Sequence, residues 1–245
     1  MSDTAPTAPR SAELSLIRDF ELCCEGEPVA LAPGAQKLLA FLALQSKPVR
    51  RAYVSGTLWF DSDEQHAGAS LRSALWRLNP LQLVCASNTH LSLNPCVEVD
   101  LHRVIERALD VLRSSPPEST LLATAQELIT VGDDLLVGWY DDWVSVERER
   151  FRQIRLHAMD RIGERLIETG RWCDALQIGL AATSTEPLRE SAQRLLVRVH
   201  LLQGNIAEAI RQYRSYAELL HTELNGRPSQ GIQDLLQPFV GGATA

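Results

Sequence analysis

The chain has 245 residues, with 24 Lys and Arg against 31 Asp and Glu and a formal net charge of −7. Apolar residues make up 45% and charged residues 22%, a balance that supports a folded core in one large or two small domains. The longest apolar run, Leu38–Leu44, falls far short of the ~18 residues of a membrane span, and the acidic balance argues against a generally basic nucleic-acid binder.

Residues 1–12 read as a disordered lead-in, polar and rich in Pro and Ala, without the apolar stretch of a secretory signal. Ser15–Ile17 and Phe20–Cys23 have the look of short strands, and Gly26 between Glu25 and Glu27 turns the chain into Pro28–Leu31. Pro33-Gly34 then opens a helix whose Ala35, Leu38, Leu39, Leu42 and Ala43 recur at helical spacing. Arg51–Trp59 gives a second helix and Phe60–Gln65 an acidic loop. A third helix runs from about His66 to Leu78, with Ala67, Leu71, Ala74, Leu75 and Leu78 on one face. Leu83–Ala86 and Leu91–Leu93, joined by Ser87–His90, make a β-hairpin. A sheet, three helices and a hairpin in this order form a winged helix-turn-helix, expected over residues 13–98.

From residue 99 to 245 the chain reads as helical. Leu101–Leu112, Leu121–Val131 (with Ser119 as its N-cap) and the long Val144–Thr169 are separated by breaks at Ser114–Ser119 and Asp133–Trp143. The stretch Gly170-Arg-Trp-Cys-Asp-Ala-Leu176 matches Gly204-Asn-Ile-Ala-Glu-Ala-Ile210, 34 positions later, which is the tetratricopeptide period. The fold class is therefore mainly α with a small β component. A winged α+β domain precedes an all-α tetratricopeptide-like domain.

The stretches Asp134–Arg150, Glu186–Ser191 and Glu223–Ser229 resemble the bacterial transcriptional activator domain, and Ala69–Leu78 resembles the recognition helix of the same proteins. Together they resemble the Streptomyces antibiotic regulatory protein (SARP) class of activators, with an OmpR-type winged helix before the activator domain. The resemblance implies promoter DNA as partner, bound by a homodimer, with contacts to RNA polymerase and sigma factor. No G-x-x-x-x-G-K-[ST] is present, so the chain looks like a short form without the ATPase domain of larger members.

A recognition helix buries one face and offers the other to the major groove. The offered face here is Ala69, Ser73 and Trp76, flanked by His66, Arg72 and Arg77. Arg72 and Arg77 either bind guanine in bidentate fashion, hold the phosphate backbone or only solvate the helix, Ser73 suits a base edge or phosphate, and Ala69 a thymine methyl. Trp76 either packs on the hairpin or reads a base, with packing the favoured reading. Lys47, Arg50 and Arg51 are phosphate clamps in this reading, and Asn88, Thr89 and His90 at the hairpin tip reach the minor groove. Asp61, Asp63 and Glu64 sit where this winged-helix type faces polymerase. The same acids also favour the N-terminus of the third helix. The Trp139–Trp143 cluster reads as core or interdomain packing rather than a ligand box, and the run Glu147, Arg148, Glu149, Arg150 and Arg152 as a solvated helix face with intrahelical pairs.

Five scattered cysteines without C-x-x-C fit a reduced, cytoplasmic protein with small buried thiols. The six histidines lack metal-ligand spacing, and no nucleophile or nucleotide motif appears, so neither enzyme activity, metal nor cofactor is expected. The alternative function is an interaction scaffold of helical repeats whose winged domain does not bind DNA specifically. Gln65–Val97, which spans the third helix and hairpin, contains no Asp or Glu and favours the activator. The hairpin itself carries neither Lys nor Arg, so modest affinity is expected for one subunit.

Overall fold

The computed structural model describes residues 11–132 and 135–240. Within them the chain divides into two compact units, 11–103 with 135–149 and 104–132 with 150–240.

In the first unit, β1 (Ala12–Ser15) buries Ala12 and Leu14 on alternate positions, and β2 (Glu21–Cys24) answers with Leu22 and Cys24. Glu25 and Gly26 both take positive φ, 55° and 83°, the conformation that two-residue hairpins favour. β3 (Glu27–Pro28) follows, with its proline at the sheet edge where no ladder donor is needed. Ala12 belongs to this sheet rather than to a lead-in, because it pairs with Cys24 and is fully buried. The rest of the expected lead-in, residues 1–10, lies outside the described residues.

Helix α1 (Pro33–Ala43) begins with Pro at its first position and buries Leu38 through Ala43. β4 (Val49–Arg50) leads into α2 (Arg51–Leu58), and α3 (Glu64–Leu78) starts two residues earlier than its apolar pattern indicates. β5 (Val84–Ala86) and β6 (His90–Leu93) form the hairpin, followed by β7 (Val97–Val99). Two sheets result, one ordered β3-β2-β1-β7 and the other β4-β6-β5. β7 runs parallel to β1, with Leu14 opposite Val99.

The segment after residue 134 completes this unit. Leu135 bridges Ile17, and the amides of Leu136 and Val137 donate to the carbonyls of Leu16 and Arg18 at 2.9 and 2.5 Å. Arg148 folds back to donate to the carbonyls of Leu135, Leu136 and Trp139 at 2.6, 2.5 and 2.9 Å. It is a clamp on this loop, not part of a merely solvated charge run. Trp139 stacks on Phe20 at 6.0 Å and Trp143 meets Phe41 edge-on at 5.3 Å. A division at residue 98 therefore leaves out a segment that these bonds and rings hold to the N-terminal sheet.

The helices that supply the second unit are α4 (Asp100–Arg113), α5 (Glu118–Val131), α6 (Asp142–Glu168), α7 (Trp172–Thr185), α8 (Glu190–Leu202), α9 (Ile206–Leu224) and α10 (Gln230–Val240). Pro117, not Ser119, is the N-cap of α5, since the helix already begins at Glu118. The matched sequences form matched turns. Gly170 and Gly204 take φ of 75° and 76°. Gly170 donates to Ile167 and Arg171 to Leu166; Gly204 donates to Leu201 and Asn205 to His200. Both are Schellman closures, in which the left-handed residue costs least as glycine. Ala175 and Ala209, five positions after each glycine, are fully buried. In the core, Arg155 is 2% exposed and donates to the Leu128 carbonyl and the Thr185 hydroxyl.

Cys85 and Cys173 are exposed thiols rather than buried ones, because each falls on the solvent side of its element. No helix among the described residues is long and apolar enough to cross a membrane.

Candidate nucleic-acid interface

Helix α3 is positioned by the four residues it buries, Ala67, Leu71, Ala74 and Leu78, spaced three and four apart. Its start is fixed by Asp63, whose carboxylate accepts the His66 amide at 2.8 Å. That amide bond, with the His66 ring second, holds the Asp63 carboxyl below its usual range. The His66 ring is turned back onto the same carboxylate, 2.8 Å from both oxygens. Of the three acids expected to face polymerase, Asp63 is thus a helix cap, Glu64 is the first helical residue and Asp61 stands in the exposed loop.

Ala69, Arg72, Ser73, Trp76 and Arg77 are all exposed on the face away from the core. Trp76 is 76% exposed, which overturns its expected packing on the hairpin. The Arg72 guanidinium lies along the helix over Gly68, where a side-chain carbon would stand 3.4 Å from Nη1.

The hairpin tip is organised by Ser87. Its hydroxyl accepts from the amides of His90 and Thr89 at 2.9 and 3.3 Å, and its own amide donates to the His90 carbonyl at 2.9 Å. The Thr89 hydroxyl lies 2.9 Å from His90 Nδ1, and Asn88 is exposed at the tip.

Strand β4 supplies what the hairpin lacks. It pairs with β6 so that Arg50 stands opposite His90 and Val49 opposite Leu91. The next residue, Arg51, donates its amide to the Thr89 carbonyl at 2.9 Å and its Nη1 to the Ser87 carbonyl at 3.1 Å. Arg50 of β4 and Arg51, the first residue of α2, therefore stand at the hairpin tip, and exposed Lys47 precedes the strand. The wing is basic through a third strand rather than through its own sequence. Sequence reading missed that strand, and the only signal for it was Val49 beside two arginines. The stretch without carboxylates, Gln65–Val97, covers α3 after its first residue, together with β5 and β6, so these elements carry cations and amides and no acid beyond Asp63 and Glu64 at the α3 start.

Three comparisons bear on this arrangement. The bacterial transcriptional activator domain matches residues 99–238. The regulatory protein AfsR of Streptomyces coelicolor is 26% identical over 235 residues, covering 88% of this chain and 23% of AfsR. The structure of Mycobacterium tuberculosis EmbR in complex with a low affinity phosphopeptide superposes with a TM-score of 0.73 at 18% identity, over 92% of this chain and 64% of that one. The chain thus spans about a quarter of AfsR and under two thirds of EmbR. EmbR shows the fold, and the matches agree with the SARP resemblance.

Proposed function

The chain belongs to the bacterial transcriptional activator domain family, and on that premise we propose that it is a cytoplasmic, SARP-type activator that binds promoter DNA as a homodimer. Helix α3 enters the major groove. Arg72 and Arg77 contact guanine or phosphate, Ser73 and Ala69 contact base edges, and Trp76 lies against the groove wall. Arg50, Lys47 and the tip residues Asn88, Thr89 and His90 follow the adjacent backbone and minor groove. His66 and Arg51 act on this surface indirectly, by holding the α3 cap and the hairpin. RNA polymerase and its sigma factor meet the loop carrying Asp61 and the α3 start with Asp63 and Glu64.

One observation carries the reading. The acid-free stretch folds into one helix face and one hairpin, and β4 adds Arg50 beside His90. A scaffold needs no such segregation in a chain of net charge −7.

The test is a mobility shift with the DNA upstream of the chain's own gene, against a shuffled duplex of equal length, titrated in salt. Saturable binding to the native duplex is expected, with log affinity falling by about 0.9 per phosphate contact for each decade of salt. Arg72→Ala and Arg77→Ala each cost about 1–3 kcal/mol where the arginine reads a base. Equal, weak binding to both duplexes sinks the proposal and leaves the scaffold.

A further inference from the structure

The loop after α2 and the segment 138–143, both within the first unit, enclose an open cavity of about 910 Å³. Its walls carry Phe60, Asp61, Trp139, Tyr140, Asp142 and Lys37. Tyr140 is 89% exposed and Phe60 74%. Large aromatics left in water around one concavity are the informative exception on a folded surface. Lys37 is spent within the wall, since its ammonium donates to Asp141 at 2.6 Å. Asp61 and Asp142 have no cationic partner among the described residues.

The groove thus pairs exposed ring faces with uncompensated carboxylates. A ring face attracts a cation by its quadrupole and accepts an aliphatic stem by its apolar area, while a carboxylate receives the donor hydrogens. We propose that this groove docks a segment of a partner protein bearing Arg or Lys between aliphatic residues. Charge decides the occupant. A second copy of this chain, at −7, offers little complement, and an acidic or phosphorylated segment meets repulsion from Asp61 and Asp142. The inference rests on the polymerase-contact part of the proposal above and gives that contact a chemistry and a second wall, the 138–143 segment.

The test uses the full chain and an amidated synthetic peptide of alternating Leu and Arg. Trp139 and Trp143 stand at the groove, so their emission reports binding. Saturable binding is expected for this peptide and none for its Leu-Glu counterpart. Tyr140→Ala and Asp61→Asn with Asp142→Asn each weaken the Leu-Arg peptide about tenfold, while the DNA mobility shift stays unchanged. Equal affinity for all variants overturns the inference, because the peptide then binds away from this groove. Self-association abolished by Tyr140→Ala, without peptide binding, also overturns it by making a second copy the occupant. Transcription with purified polymerase separates the two readings. Variants that lose peptide yet still activate sink the polymerase contact and leave the groove standing. Variants that keep peptide but lose activation sink the groove and leave the polymerase contact.

Discussion

The guanidinium of Arg51 donates to the carbonyl of Ser87 at 3.1 Å, across 36 residues of sequence. This bond joins the start of α2 to the turn of the hairpin, so Arg51, expected as a phosphate clamp, also braces the wing. Arg51→Ala is expected to free the tip at a cost of about 0.5–1.5 kcal/mol, the range of an ordinary net hydrogen bond. Hydrogen exchange checks it. The amides of Thr89 and His90 should lose protection while those of α1 keep theirs. Exchange unchanged at the tip shows that the backbone bond from the Arg51 amide suffices.

Two glycines predict opposite signs for one substitution. At Gly163 in α6 an added methyl would collide with one Leu195 methyl and stand 3.1 Å from the other, and Leu195 is 3% exposed. Gly163→Ala therefore overpacks the helix contact and is expected to destabilise by about 1–3 kcal/mol, less whatever helix propensity returns. Gly56 in α2 meets nothing within 4 Å, so Gly56→Ala should stabilise by up to about 1 kcal/mol. Urea midpoints at constant slope decide both, and a stabilised Gly163→Ala refutes the close approach.

Glu190 accepts from the Ser229 amide at 2.9 Å, from the Ser229 hydroxyl, and from the Tyr216 hydroxyl at 3.3 Å. Burial pushes its carboxyl up, but these donors and nearby Arg194 outweigh it and leave it below the ordinary value. Such a group stabilises above the unfolded pKa, about 4.3, and loses that contribution as pH falls through its folded value. Tyr216 is pushed up to about 12, by burial first and then by the Glu190 charge and hydrogen bond. Its contribution is whole below about pH 10 and is lost as pH rises through 12. Glu190→Gln should flatten the acid limb of stability by under about 1 kcal/mol, because the site is largely solvated. Thermal melts from neutral to acid pH measure it. A parallel decline in both proteins removes Glu190 from the account.

Trp76 separates binding from folding. At 76% exposure its loss should leave stability within about 0.5 kcal/mol, as surface changes do. Trp76→Ala is nevertheless expected to weaken promoter binding severalfold in the same mobility shift. If stability falls and binding does not, the ring serves the fold.

Much of α3 was legible because Ala67, Leu71, Ala74 and Leu78 repeat at one period and all four are buried. The paired turns at Gly170 and Gly204 were legible for the same reason, a local pattern with a local cause. What escaped was short or distant. β4 and β7 have two and three residues, too few for a period, and their partners lie about forty and eighty positions away. Arg148 looked like a member of a charged face because its acceptors are backbone carbonyls, which every sequence has and none displays. Trp76 looked like packing because tryptophan usually is.

The pairing of Leu16–Arg18 with Leu135–Val137 sets an order on the ribosome. β1 emerges first, yet its parallel neighbour arrives with Val99, and the strand-end bonds beyond it wait for Val137. Arg148, which secures that loop, follows later still. At about 5–20 residues per second, the nascent N-terminal sheet spends several seconds with an open edge before its last partner is made. A chain cut after the hairpin never receives that partner, so the winged unit should be produced through residue 149 to be whole.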